Sequence, residues 1–117
     1  MAMGPFTTIL ASAARTTTSQ TAVQSTPQTA SVLAVKLAVT AHSGTTPTLD
    51  VTLEWSDDST TFYAADPSDA FTQVTTTDAT KVKTFARKAP YYRVKWTIAG
   101  TTPSYTFAVG VARSARF

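Results

Sequence analysis

The stretch that decides the fold is Thr48-Leu49-Asp50-Val51-Thr52-Leu53-Glu54-Trp55-Ser56-Asp57-Asp58-Ser59. Up to the tryptophan, polar and apolar residues alternate strictly, so the apolar side chains share one face and the polar side chains share the other. This period of two is the pattern of a β-strand with one buried face. The run that follows predicts a turn, because short Asp and Ser side chains accept hydrogen bonds from nearby backbone amides.

Three other stretches alternate in the same way, at residues 32–40, 91–98 and 105–111. A further strand is predicted at residues 81–86, although its alternation is not strict. The side chains predicted to face the core are Leu33, Val35, Leu37, Val39, Leu49, Val51, Leu53, Trp55, Tyr92, Val94, Trp96, Ile98, Tyr105, Phe107, Val109 and Val111. The five inward aromatic residues among them are better interpreted as core than as the lining of a ligand pocket.

Two loops with glycine and proline separate these runs, at Ser43-Gly44-Thr45-Thr46-Pro47 and Ala99-Gly100-Thr101-Thr102-Pro103. Each predicts that the chain reverses direction, so the first two runs are expected to form an antiparallel hairpin. The mixed segment 64–80 is predicted to be a loop whose Phe71 and Val74 close one end of the core.

Length and composition favour one all-β domain. A chain of 117 residues fits a single compact domain, and threonine, which is β-branched, supplies about a fifth of it. The predicted fold is a two-sheet antiparallel β-sandwich or a jelly-roll-like barrel at residues 32–117, preceded by an extended N-terminal arm and connector at residues 1–31.

The arm contains a short apolar patch of Phe6, Ile9 and Leu10 before a segment of Thr, Ser, Gln and Ala without periodicity. Two interpretations are open: the patch pairs at a sheet edge, or it docks on a neighbouring subunit. The chain has no cysteine, which excludes disulfides and thiolate metal sites. We expect a soluble, unprocessed chain, because no apolar run is long enough for a membrane helix and the start lacks the basic residues of a signal peptide.

Candidate catalytic and metal-binding residues are few. His42 is the only histidine, and no motif supplies it with a nucleophile or an orienting partner, so a surface histidine is the preferred interpretation. Asp57, Asp58, Asp66 and Asp69 suggest a calcium loop, but their spacing matches no EF-hand, and a solvated turn region is favoured. We therefore expect no catalytic residues, no metal and no cofactor.

Charge is unevenly distributed along a chain whose formal net charge is +3. All acids lie between Asp50 and Asp78, and most bases follow them. Opposite charges could therefore meet across a contact between subunits. The predicted partner-binding residues are Phe6, Ile9, Leu10, Arg15, Tyr91, Arg93 and Lys95. A nucleic-acid surface is the weaker interpretation, because alternation turns Tyr92 and Trp96 inward.

The outward face of the last strand carries the small residues Thr106, Ala108 and Gly110. Another protein layer covering this face is one interpretation. An ordinary solvent face is the preferred one, since antiparallel sheets commonly leave one face in water.

Several segments follow one another along the chain: Ile9 to Thr16, a Thr/Gln-rich connector, Leu33 to Thr40, Leu49 to Asp58, Tyr92-Arg93-Val94 and Tyr105 to Gly110. Their order resembles that of small structural proteins of tailed bacteriophages. The resemblance implies a β-rich, non-enzymatic virion protein that binds the major capsid protein or tail proteins and copies of itself. A capsid decoration (cement) protein is the leading expectation. The alternatives are a tail or head-to-tail junction protein and, from another class, a carbohydrate- or surface-binding β-sandwich module.

Overall fold

The computed structural model describes residues 6–25, 32–64 and 69–113. Its strands are β1 (Thr7–Arg15), β2 (Ser19–Gln20), β3 (Gln24–Ser25), β4 (Val32–Ser56), β5 (Tyr63–Ala64), β6 (Thr80–Ala86) and β7 (Tyr91–Arg113). No helix occurs in these described ranges. The prediction of an all-β, antiparallel architecture is confirmed.

Two long strands form the centre of the sheet. β4 and β7 pair antiparallel along their whole length, from Leu33 opposite Arg113 to Ser56 opposite Tyr91. A straight strand with the 25 residues of β4 would span about 80 Å, whereas the longest dimension of the molecule is 46 Å. The paired strands therefore bend, and the inner faces of both halves contribute to one core.

The bend lies where the sequence Gly-Thr-Thr-Pro occurs twice, at residues 44–47 and 100–103. Gly44 and Gly100 have φ angles of 108° and 123°, a region that side chains disfavour. A Cβ on Gly44 would lie 2.7 Å from the carbonyl oxygen of Thr102, and one on Gly100 would lie 2.8 Å from that of Thr46. The two bends thus contact each other reciprocally.

The hairpin prediction is wrong, because neither Gly-Thr-Thr-Pro segment reverses the chain. The segments lie side by side, with Thr45 opposite Thr101 and register shifts around them. Since both strands bend at the same place, their hydrogen-bonded ladder resumes on the far side. A reversal at either loop would instead have paired the two halves of one strand with each other.

Shorter strands flank this ribbon. β1, β2 and β3 pair with β7, and β5 and β6 pair with β4, giving an antiparallel sheet that is not closed. Ile9 and Leu10 of the apolar patch therefore lie in the chain's own sheet edge, the first of the two interpretations above, whereas Phe6 directly precedes β1.

The segment without periodicity also lies along β7. The backbone amide of Thr21 donates to the carbonyl of Val94 (2.9 Å), and the Thr21 hydroxyl accepts from the amide of Val94 (3.0 Å). The hydroxyl of Thr18 accepts from the amide of Ile98 (3.1 Å). These bonds use backbone and hydroxyl groups, so no alternation of apolar side chains marks them. Residues 26–31 of the predicted connector lie outside the described residues.

The predicted core is confirmed, including Phe71 and Val74. The inward side chains of β4 and β7 are buried, except that Ile98 is only partly buried. Trp96, which precedes the bend in β7, contacts Phe107, which follows the bend, edge to face, with ring centroids 5.4 Å apart. Each large side chain buried in this way contributes about 1.5–3 kcal/mol.

The pairing of β6 with β4 explains why apolar and polar residues do not alternate strictly in the sequence of β6. Lys83 lies opposite Val35 and Lys81 lies opposite Leu37, so both lysines face the core side at the rim of the sheet. The ammonium of Lys83 donates to the carbonyl of Ala70 (2.6 Å). An inward charge on an edge strand hinders pairing with another chain. The same arrangement leaves Val82 on the outer side, whereas Phe85 is buried in the core.

Candidate interaction surface

The two halves of the bent sheet have different outer faces. The first half of the sheet consists of residues 33–43 of β4 paired with residues 104–113 of β7. There, Lys36 lies opposite Val82 on one side and Gly110 on the other. Residues opposite each other in a sheet point to the same side. The same register defines what we call the small-residue face: Phe6, Thr8, Ala34, Lys36, Ala38, Thr80, Val82, Thr84, Thr106, Ala108, Gly110 and Ala112.

This face is almost uncharged, and Ala34, Gly110 and Ala112 are already buried on it. Val82 is 55% exposed and Phe6 is 38% exposed. The ammonium of Lys36 lies 5.1 Å from the centroid of the Phe6 ring, and a Cβ added to Gly110 would lie 3.5 Å from the Cβ of Phe6. Lys36 is the one charged residue of the small-residue face, which has no carboxylate.

The second half of the sheet consists of residues 48–56 of β4 paired with residues 91–99 of β7. Its outer face, which we call the paired-charge face, contains Thr48, Asp50, Thr52, Glu54, Tyr91, Arg93, Lys95 and Thr97. The Nε of Arg93 donates to Oε1 of Glu54 (2.7 Å), and the ammonium of Lys95 lies 4.0 Å from Oε2 of the same carboxylate. The Arg93 guanidinium also lies 4.1 Å from the centroid of the Phe62 ring. Two of the predicted partner-binding cations therefore have a counter-charge within their own chain.

The separation of charges along the sequence has the same explanation. β4 carries acids and β7 carries bases, and their antiparallel pairing sets Glu54 directly opposite Arg93. A second pair joins Lys88 to Asp69 at 3.0 Å. The charge pattern thus produces contacts inside one chain. That Tyr91, Arg93 and Lys95 also contact a partner stays a prediction.

Arg15 fastens β1 to the sheet at an irregularity. The register of β1 against β7 shifts between Leu10 and Ala13. At this point the guanidinium donates to the carbonyls of Ala11 (2.6 Å), Ala13 (3.0 Å) and Phe107 (2.6 Å). It also lies 4.8 Å from the centroid of the Phe107 ring, and burial lowers the pKa of Arg15.

The predicted partner-binding residues in and just before β1 thus have different environments. Ile9 and Leu10 are partly buried against the core, and Arg15 is engaged by its own sheet. Phe6 remains on the small-residue face with its ring exposed.

The aspartates considered as a calcium loop have separate roles. Asp69 is buried, accepts from Nε1 of Trp55 (3.1 Å) and pairs with Lys88. Asp58 accepts from the amides of Thr60 and Thr61 (2.9 and 2.8 Å), which confirms the predicted turn. Asp66 lies outside the described residues. Across the ranges 6–25, 32–64 and 69–113, no group of three or more His, Asp or Glu could hold a metal ion.

His42 has a partner that the sequence did not reveal. Its Nδ1 lies 2.7 Å from Oδ1 of Asp78. Nearby, the Tyr105 hydroxyl donates to the carbonyl of Thr75 (2.7 Å), and burial, with a smaller effect of Asp50 and Asp78, raises the pKa of Tyr105. These contacts fasten the segment before β6 to the bend in the sheet.

Sequence reasoning missed Val82 on the small-residue face and the contact of Phe62 with Arg93 beside the paired-charge face. The position of Val82 on the small-residue face depends on which strand pairs with β6, and a single sequence does not specify this. Phe62 comes after the acidic turn, which returns the chain along β4, and its contact with Arg93 on the neighbouring β7 depends on that pairing.

No protein-family model, curated protein or solved structure matches this chain. Within the described part of the chain, no helix is long and apolar enough to cross a membrane.

Proposed function

We propose that this chain is a non-enzymatic structural protein of a tailed-bacteriophage particle, a decoration or cement subunit that binds the outer surface of the capsid. The small-residue face is the observation that supports the proposal. Its partners are then the major capsid protein and copies of the chain itself, and its location is the virion.

The shape of the small-residue face suits it to being covered. It is built on four adjacent strands, β1, β7, β4 and β6, so its width is about 15–20 Å at the usual strand spacing. The small alanine side chains, and glycine without a side chain, let another backbone approach closely. Exposed Val82 and Phe6 supply apolar area, which gains about 25 cal/mol for each Å² removed from water.

Charge adds a condition on the partner. Among the described residues, Lys36 forms no ion pair, so a partner surface with an acidic group near the centre of the contact fits it best.

We further propose that the two halves of the bent sheet stack as the layers of a β-sandwich. The contact between Trp96 and Phe107 supports this arrangement, since these rings come from opposite sides of the bend. A layered core of this kind would hold the small-residue face flat, which a docking surface requires.

The surface-binding module is the less favoured alternative. Such modules present clustered exposed aromatic rings to a ligand. Here the exposed rings Phe6 and Tyr63 belong to different halves: Phe6 lies over Gly110, whereas Tyr63 pairs with Trp55 in the second half.

The experiment that tests the proposal is quantitative mass spectrometry of purified particles of the virus that encodes the chain. The measured quantity is its copy number relative to the major shell protein. Near-stoichiometric abundance is the expected result. A small fraction would instead indicate a tail or head-to-tail junction protein, and absence from the particle would contradict the virion role and favour the surface-binding module.

A further inference from the structure

The two halves of the sheet differ in how far their charges are compensated. Within the described residues 7–15, 32–43, 80–86 and 104–112, which form the first half with β1 and β6 beside it, there is no Asp or Glu. The cations of this region are Arg15, Lys36, Lys81 and Lys83. In the part of the chain that the structure describes, none of them forms an ion pair. The histidine of this half, His42, pairs with Asp78 at the bend.

The second half has enough carboxylates to balance its cations. Glu54 lies beside both Arg93 and Lys95, and the exposed turn that follows β4 adds Asp57 and Asp58. The uncompensated positive charge of the described residues is therefore concentrated in the half that carries the small-residue face.

Hydrogen bonds within the first half do not remove this charge. The guanidinium of Arg15 donates to the carbonyls of Ala11 and Phe107, and the ammonium of Lys83 donates to that of Ala70. A carbonyl carries no net charge, so each side chain still adds a full positive charge to the field around the molecule. A surface that approaches this half meets positive charge from β1 on one side to β6 on the other.

We propose that the first half binds a carboxylate-rich surface of the shell protein, with the small-residue face in contact and the cations of β1, β4 and β6 attracting that surface. The inference rests on the proposed function, because it specifies the chemistry of the partner at the same face. Charged groups at the rim of a contact act mainly on the rate of association. The acidic turn belongs to the other half, and repulsion between like charges keeps it directed away from the same surface.

Phosphate groups would also attract these cations. Proteins that bind single-stranded nucleic acid without sequence preference, however, combine a basic groove with several aromatic rings on which the bases stack. Among the described residues of the small-residue face, Phe6 is the one aromatic side chain. A protein surface therefore fits the first half better than a nucleic acid does.

Charge-matched variants test the asymmetry without any partner. Lys81→Gln and Lys95→Gln each remove a single positive charge, the first from β6 and the second from the paired-charge face. We expect Lys81→Gln to elute from a carboxymethyl cation-exchange column at lower salt than wild type, because the first half contacts the carboxylates of the column. Lys95→Gln should shift less. Equal shifts would show that only the net charge matters and would overturn the inference.

The rate of association with particles that lack the protein tests the partner. We expect the wild-type rate to fall by at least about tenfold from low to high salt. Lys81→Gln should lower the low-salt association rate with little change in the dissociation rate, whereas Lys95→Gln should associate like wild type. Circular dichroism checks that both variants are folded, and nuclease treatment of the particles should change none of these rates.

Several results would contradict this account. An association rate independent of salt, equal rates for the two variants, or loss of binding after nuclease treatment would overturn the carboxylate-rich surface as the partner. The column result distinguishes these failures from a failure of the proposed function. The expected elution without any binding to particles would contradict the proposed function and overturn the shell as the partner.

Discussion

The two outer faces of this molecule are carried by the same two strands and yet have opposite chemistry. On the paired-charge face, Glu54 compensates Arg93 and Lys95, so the surface is neutralised within the chain. The small-residue face has Lys36 without an acid and apolar side chains that remain exposed. The paired-charge face is therefore neutralised by its own chain, and the small-residue face is the one that we propose to be covered by a partner.

Both faces depend on one core beneath them. We expect the largest loss of stability when the contact between Trp96 and Phe107, which joins the two halves of that core, is removed. Trp96→Ala deletes a ring that contacts Phe107 across the bend and an indole N–H that donates to Thr17 (2.9 Å). We expect a loss of about 3–5 kcal/mol in the free energy of unfolding, measured by urea denaturation. An unchanged denaturation midpoint would mean that the two halves do not share this core.

The bend that separates the faces should be nearly as sensitive. Gly100→Ala combines a positive φ with a backbone clash, and we expect it to cost about 1–3 kcal/mol. Gly44→Ala should have a similar effect, because its surroundings are equivalent.

Gly110→Ala is the matched control for the bend variants, since its nearest neighbours lie at ordinary contact distance. Its free energy of unfolding should stay within about 0.5 kcal/mol of the wild type. If thermal or urea denaturation found all the glycine variants equally stable, the reciprocal contact at the bend would be wrong.

A smaller effect distinguishes the charges of the two faces. Glu54→Gln leaves Arg93 and Lys95 without a counter-charge, and we expect a loss below about 1 kcal/mol, because these side chains are partly exposed. The difference from wild type should shrink as salt is added. Lys36→Gln breaks no ion pair among the described residues, so its unfolding free energy should show no such salt dependence. If salt changed the unfolding free energies of both variants equally, the claim that only the paired-charge face contains a stabilising ion pair would be wrong.

The smallest effect concerns the acidic turn next to the paired-charge face. Amide donation from Thr61 and Thr60, with a further bond from Ser56, lowers the pKa of Asp58. A lowered pKa in the folded state adds stability above the unfolded pKa, and this stability is lost as the pH falls through the folded value. Asp58→Asn should therefore have a lower melting temperature than wild type at neutral pH. In strong acid the two melting temperatures should be the same. A constant difference at every pH would contradict this role.

Much of the fold could be predicted from alternation alone. The inward residues of all four long runs were correctly placed, since burial of one face enforces a period of two. The connectivity was not predictable, because Gly-Thr-Thr-Pro has the composition of a hairpin turn whether the chain reverses or bends. What decides the outcome is a second copy of the same segment lying alongside, which is a contact between residues 56 positions apart.

The candidate surface was only partly predictable for a related reason. The outward positions of Ala108 and Gly110 followed from alternation, but their neighbours Val82 and Lys36 came from strands whose pairing was unknown. Arg93 and Lys95 were correctly placed outward, and Glu54 was placed outward too. Their mutual contact depends on the register of β4 against β7, which no local pattern encodes.

The measurement that tests the central claim most directly compares one substitution on each outer face. Ala108→Arg and Thr97→Arg introduce the same side chain on the same strand, on the small-residue and the paired-charge face respectively. Each purified variant is mixed with particles that lack the protein, and the bound fraction is measured after sedimentation, once circular dichroism has shown that both are folded. We expect Ala108→Arg to abolish binding and Thr97→Arg to bind like wild type. Equal binding by both, or loss confined to Thr97→Arg, would contradict the assignment of the small-residue face as the docking surface.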